Sequence, residues 1–264
     1  MSLHEYLQAD PQCDQLLAGA VLAVGPMLDD PDPAPALAQV GQWADDLAGR
    51  MPLPWNFHEA VDTLNRYLFQ EVGLKGDQET YDDPANAAIP KVIARRRGMP
   101  ITLSILWMEV ARQLGFRPVG VALPGHFITG LRSDLGILHF DPFNGGRPLG
   151  EEGAARLVEM ATGGRAAFDP AMLLPVSHRA ILVRLVRNLH VRFLRSKAWA
   201  EALWTSTHLV LLCPGESLPY RDRAVVHFKR GEVSAGMRDL AEAVRLGQEV
   251  DPELLQWMER LQRH

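Results

Sequence analysis

The chain has 264 residues, 47% of them hydrophobic and 22% charged, with a formal net charge of -5 at pH 7. That apolar fraction excludes a disordered chain, and the length allows one large domain or two modest ones. Two cysteines, Cys13 and Cys213, exclude a disulfide-built scaffold and a Cys-only zinc site, and make a reducing cytoplasm the expected compartment.

The uncharged run from Leu16 to Leu28 is too short for a membrane span of ~20 residues. Glu5, Asp10 and Asp14 precede it, with no Lys or Arg, so it reads as a buried helix and not as a signal peptide. Helical periodicity follows over Ala36–Ala48 and over Phe57–Val72, the latter with Val61, Leu64, Leu68 and Val72 on one face. Pro52 and Pro54 separate the two, and Gly73 and Gly76 close the second. A loop over Asp77–Asn86 leads to a helix at about Ile89–Arg97. Gly98-Met99-Pro100 then opens another, Ile101–Leu114, which Gly115 stops. Beyond Gly115 the grammar changes. Pro118–Leu123, His126–Leu131 and Ile137–Phe140 are short, β-branched or aromatic, and split by turn residues, which predicts a small antiparallel sheet. Helices first and sheet afterwards give an α+β fold. Thr162–Pro175 reads as a linker or as a loop packed on the first domain, and the remainder as all-helical. The expected domains are 1–165 and 176–264.

The helical tail repeats with a period of 34 residues. The shift pairs Ala202 with Gly236, Val191 with Val225, Leu194 with Phe228, Trp199 with Val233, Leu203 with Met237, Val210 with Val244 and Leu212 with Leu246. Small falls on small and apolar on apolar, with Leu209 against Ala243 a mismatch. A 34-residue period of paired helices resembles tetratricopeptide repeats. Pro214 stands twelve residues after Ala202, as that pattern expects, but Pro252 stands sixteen after Gly236. A last helix at about Pro252–Gln262 would cap the array.

Charge is unevenly spread. Residues 1–90 carry 15 acidic and 3 basic side chains, and the rest 17 acidic and 24 basic. The absence of an aromatic-interleaved basic run argues against a nucleic-acid partner. Arg95-Arg96-Arg97 reads as a solvated helix end. Arg184, Arg187, Arg192 and Arg195 admit three readings: a solvated helix face, docking against the acidic N-terminal region, or a groove for an acidic peptide. The histidines show no His-x-x-x-His spacing, so no metal and no cofactor are expected.

Chemistry concentrates at three strings: Pro124-Gly125-His126, Asp141-Pro142-Phe143-Asn144-Gly145-Gly146, and Gly98–Ser104 at a helix start. His126 begins one strand and Asp141 ends the next. In a hairpin those positions are neighbours, within reach of a hydrogen bond. An Asp that orients an imidazole is the supporting half of a nucleophile–His–Asp triad. The alternative is a strand-edge histidine fixed by its neighbours. Asn144-Gly145-Gly146 is a tight turn needing positive φ. Asn86 either shapes its loop or lines the cleft.

The segment from about Leu64 to Gly146 resembles the transglutaminase-like superfamily, whose fold is related to papain-type proteases. More narrowly it resembles the SirB-type branch of bacterial proteins, which joins such a domain to tetratricopeptide-like helices. The strings LNRYLFQEVGLKGD, DDPANAAIPKVIARRRGMPITLS, EVARQLGF, LPGHF and FDPFNGG carry the likeness. The resemblance implies a Cys–His–Asp site, with the Cys at a helix start. His126 and Asp141 match the His and the Asp, and the position of the Cys is held by Pro100. Proline supplies neither a thiol nor the backbone N–H that helps bind an oxyanion. It is, however, a well-suited first helical residue. Ser104 shares that helical face about 6 Å further on; Thr102 points elsewhere. These residues lead to an inactive transglutaminase-like domain used to bind a protein or peptide. The alternatives are a hydrolase or transferase using His126 and Asp141 with Ser104 or water, and a regulatory adaptor.

Overall fold

The computed structural model describes residues 1–51 and 56–247. Its N-terminal part starts with three helices, α1 (Leu3–Ala9), α2 (Leu16–Ala23) and α3 (Ala34–Ala48). Ser2 begins α1 with a reciprocal cap: its Oγ accepts from the Glu5 amide while the Glu5 carboxylate accepts from the Ser2 amide. Every residue of α2 is buried, as an uncharged helix requires. Pro26 then sits in a 3-10 turn, Gly25–Met27, so the helix stops short of Leu28. α3 turns Ala36, Val40, Trp43, Ala44 and Leu47 inward.

Asn56 starts α4 (Phe57–Arg66) by accepting from the amides of His58 and Glu59. The helix expected to reach Val72 instead passes into a π-helical turn, Tyr67–Glu71, in which the Val72 amide donates to the Tyr67 carbonyl. Tyr67 and Leu68 are adjacent yet both buried, and the wider turn accommodates them together. Tyr67 directs its hydroxyl to Asp46, 2.9 Å away.

Arg95-Arg96-Arg97 does mark a helix end, but its side chains are engaged and not simply solvated. α5 (Ile89–Arg95) stops because Arg96 adopts a left-handed φ of 57°. Arg97–Gly98 then forms strand β2, parallel to β1 (Lys75–Gly76). Each arginine has its own site: Arg95 bonds Asp77 and Asp83, Arg96 lies over the Trp43 ring, and Arg97 bonds Glu79.

α6 (Pro100–Gln113) is buried from Pro100 to Ala111. It packs against α3 and against strands β3 (Pro118–Leu123) and β4 (His126–Ser133). With β5 (Gly136–Asp141) and β6 (Arg147–Leu149) these form an antiparallel sheet of order β3-β4-β5-β6. Register places Leu123 opposite His126 and Thr129 opposite Phe140. β6 and the following helix α7 (Glu151–Thr162) have no counterpart in the sequence reading. Ala154 and Val158 of α7 pack on Val121, Leu123 and Ile128 of the sheet. The stretch after Thr162 is a loop packed on this domain: Phe168, Met172 and Leu173 join that cluster, and Val176 bridges to Gly120.

The chain divides into two compact units, Met1–Leu185 and Val186–His264, at a point inside α8 (His178–Ser196). The second contains α9 (Trp199–Leu212), α10 (Ser217–Lys229) and α11 (Val233–Arg245). The 34-residue period is visible here: Trp199 and Val233 each begin a helix, and Lys197 and Gly231 both take positive φ, 58° and 77°. Gly236 is closely covered, because a Cβ there would meet Phe228 Cε1 at 2.5 Å. The expected helix at Pro252–Gln262 lies outside the described residues. Among the described residues, no helix is long and apolar enough to cross a membrane.

Candidate functional site

The antiparallel β4–β5 pairing delivers His126 and Asp141 to one end of the sheet. His126 Nε2 stands 3.1 Å from Asp141 Oδ1, with the two residues 8% and 1% exposed. Asp141 Oδ1 also accepts from the Phe143 amide at 3.1 Å, and its Oδ2 from Asn144 Nδ2 at 2.7 Å. Burial opposes ionisation of Asp141, yet the imidazole's hydrogen bond and charge, with Asn144, outweigh it and hold the carboxyl below its ordinary range. An ionised carboxylate only accepts, so Nε2 carries the ring hydrogen. In the neutral ring Nδ1 is then the acceptor, and among the described residues the ring's one hydrogen bond is the one to Asp141. The Phe143 ring meets His126 edge to face at 5.9 Å, and Tyr81 meets Phe143 at 6.1 Å.

The Asp141–Gly146 turn is fixed from beneath. Gly145 and Gly146 take φ of 77° and 72°, as the sequence required. Asn65 Nδ2 donates to the Gly146 carbonyl at 2.9 Å, while Trp107 Nε1 donates to Asn65 Oδ1 at 2.8 Å. Trp107 also stacks on Phe140, with ring centroids 5.6 Å apart. Asn65 and Trp107 escaped the sequence reading. They are 42 positions apart, and although Asn65 lies in the string LNRYLFQEVGLKGD, nothing in its spacing links it to Trp107.

At the start of α6, Met99 is the N-cap and Pro100 the first helical residue. Thr102 Oγ1 accepts from the Met99 amide at 3.1 Å and donates to the Asn86 carbonyl at 2.8 Å. The hydroxyl expected to point away is thus the group that braces the helix start.

A model of the transglutaminase-like superfamily matches residues 34–187, more than half of the sequence. The chain belongs to that superfamily. A tetratricopeptide-repeat model matches residues 189–262. The transglutaminase-like chain is 40% identical over 186 residues to a UPF0162 protein of Xylella fastidiosa, covering 69% of this chain and 66%, just under two thirds, of that relative. It is 31% identical to a UPF0162 protein of Vibrio cholerae, over 61% of this chain and 60% of the relative. It is also 31% identical over 99 residues to mouse F-box only protein 21, over 34% of this chain and 16% of that protein. No solved structure matches it.

The other sequence candidates of this transglutaminase-like chain fall in different places. Ser104 is sealed inside α6, and its Oγ has no hydrogen-bond partner; it is not joined to His126. Asn86 is also fully buried and braces its loop: Nδ2 donates to the Thr80 carbonyl at 2.7 Å, and Oδ1 accepts from Arg95 at 3.4 Å. Asn144 supports Asp141. Arg184 is partly buried, and its Nη2 donates to the Leu123 carbonyl at 3.2 Å. Arg187 lies beyond the division between the units, near His190 on the same helix. Among the described residues, no three His, Cys, Asp or Glu side chains are gathered as metal ligands.

Proposed function

We propose that this chain is a cytoplasmic, transglutaminase-like binding module from which acyl-transfer chemistry has been lost, and that its tetratricopeptide-like helices offer a surface to a protein or peptide. The carrying observation is Pro100 as the first residue of α6, the position at which the superfamily resemblance calls for the nucleophilic Cys. A proline there removes the attacking group and one oxyanion donor together. A lost donor alone costs roughly 10²–10³ in rate. The purified protein should therefore show no amidase, protease or amine-transfer turnover. Turnover that disappears in His126→Ala overturns this reading. Recovery of a specific protein from native lysate by the full chain, lost when the helical repeats are altered, supports it.

A second reading has one observation in its favour. Among the described residues His126 bonds only Asp141, through Nε2, which leaves Nδ1 for another partner, the arrangement of a general base that could act on water. Ser104 does not strengthen it, because a sealed hydroxyl is not in a position to attack. A fluorophosphonate probe should leave Ser104 unlabelled; labelling that requires His126 would favour the hydrolase.

A further inference from the structure

His190 sits within α8 and is 2% exposed. Its Nδ1 lies 2.9 Å from Thr205 Oγ1 on α9. The Thr205 hydroxyl donates to the carbonyl of Glu201 or Ala202, each 3.0 Å away. The ring also bonds the Ala202 carbonyl, which can only accept; Nε2 has no partner, so Nδ1 carries the imidazole hydrogen. Nε2 is left as a bare acceptor. It is sealed from solvent and has no hydrogen-bond partner.

Protonation can occur only at that nitrogen. It would create a cationic N–H with no acceptor inside a closed helix pair, among the most costly polar arrangements in a protein interior. Among the described residues, the charged groups facing the ring are Asp222 of α10 and Arg187 of α8; α9 contributes Thr205 and the Ala202 carbonyl. Asp222 is itself bonded to Arg221 at 2.9 Å, which weakens the one nearby charge that favours an imidazolium.

We infer that His190 is a proton-operated release for the α8–α9 helix pair: neutral, it holds the pair closed, and protonated at Nε2 it opens it. Burial supports this by holding the imidazole below its ordinary range; Asp222 and the Ala202 carbonyl act against burial, and Arg187 acts with it. The sign follows from linkage. The open form binds the proton with an ordinary affinity, near pH 6.5, and the closed form binds it more weakly. The closed pair is therefore fully favoured above about pH 6.5. Below that, the open population rises by up to tenfold for each pH unit, until the lower closed-form value is passed.

Hydrogen exchange of the full chain, read on peptides within 186–212 and corrected for the intrinsic pH dependence of exchange, measures that population between pH 8 and 5. The expected result is a steep rise in opening below about pH 6.5 in the wild type and a flat profile in His190→Leu. An equal rise in the variant overturns the inference. Should His190→Leu not fold, nitrogen-15 spectra of the wild-type imidazoles decide instead. His190 must remain the Nδ1–H tautomer, and neutral, at a pH below the ordinary imidazole value of about 6.5. A His190 ring that becomes charged near the ordinary imidazole value of about 6.5, with the helix pair still protected, overturns the inference as well.

Discussion

Gly146→Ala tests whether the turn that carries Asp141 is wedged against Asn65. Gly146 has φ of 72°, and an L side chain in that region costs about 1–2 kcal/mol. Its Cβ would also lie 2.5 Å from Asn65 Cγ and 2.6 Å from Phe69 Cε2, well inside contact distance; forced overpacking costs about 1–3 kcal/mol. Asn65 has little freedom to give way, because moving it breaks its bonds to Trp107 and to the Gly146 carbonyl. The expected loss of stability is about 2–5 kcal/mol. Gly145→Ala is the internal control: its φ is 77°, but nothing lies within 4 Å of the added Cβ, so it should lose only about 1–2 kcal/mol. Urea unfolding of the full chain, followed by tryptophan fluorescence and circular dichroism with the slopes compared, measures both. The Gly146 amide donates to the Asp141 carbonyl at 2.8 Å, so nitrogen-15 spectra should also show a weakened His126–Asp141 bond in Gly146→Ala alone. Equal losses in the two variants, within about 0.5 kcal/mol, would refute the wedge.

Two further changes probe the loop and the helix start. Asp77 is pushed down to about 2, first by the hydroxyl and amide of Thr80. Its folded value lies below its unfolded one, so its contribution is complete above about pH 4 and is lost as pH falls toward 2; Asp77→Asn should lower the melting temperature at pH 6 and flatten the acid limb of a melting-temperature profile, and an unchanged limb would count against it. Pro100→Cys restores a thiol and an amide at the helix start, so if Pro100 occupies the nucleophile's position the new thiol should be alkylated by iodoacetamide at pH 6 faster than an ordinary cysteine. Site-resolved mass spectrometry separates it from Cys13 and Cys213, and a rate indifferent to His126→Ala would show that position 100 does not address the imidazole.

Parts of the fold were legible because burial and local geometry imposed the same pattern. The uncharged Leu16 run, the Gly115 stop and the short β-branched or aromatic strands around Pro124-Gly125 all have that property. The 34-residue repeat was legible because equivalent helices need a small residue at Ala202 and Gly236. Other parts had no local signature. β1 and β2 are two residues each, too short to alternate. β6 contains Pro148, which suits an edge strand but reads as a breaker. α7 buries only Ala154 and Val158, so its apolar face is thin. Within the site, the His126–Asp141 neighbourhood followed from hairpin topology. The Trp107–Asn65–Gly146 chain did not, because Trp107 and Asn65 are 42 positions apart and meet only after α4 and α6 have packed. Asn86, read either as shaping its loop or as lining the cleft, bonds the Thr80 carbonyl within that loop.

The His126–Asp141 pair does not require catalysis to account for its geometry. A carboxylate that is 1% exposed is stable only when its lone pairs are used, and removing one partner leaves a buried charge short of a hydrogen bond. His126 supplies one such bond, Phe143 and Asn144 the others. Pro100 is likewise explained by helix initiation alone. The atom without a structural use is His126 Nδ1, so the decisive substitution keeps the bond to Asp141 and deletes only that nitrogen. His126→Gln has that property, because its amide can donate to Asp141 but cannot act as a base near neutral pH. It should unfold within about 1 kcal/mol of the wild type, whereas His126→Ala should lose about 1.5–3 kcal/mol with the charged hydrogen bond. A binding module keeps its partner affinity to within the change that one ligand hydrogen bond makes, about 0.5–1.5 kcal/mol. A water-activating hydrolase loses at least 10²-fold in turnover. Parallel urea melts, partner titrations and hydrolysis assays on His126→Gln therefore separate the two readings, and a Gln variant as unstable as the Ala variant would show that the imidazole is held by more than its bond to Asp141.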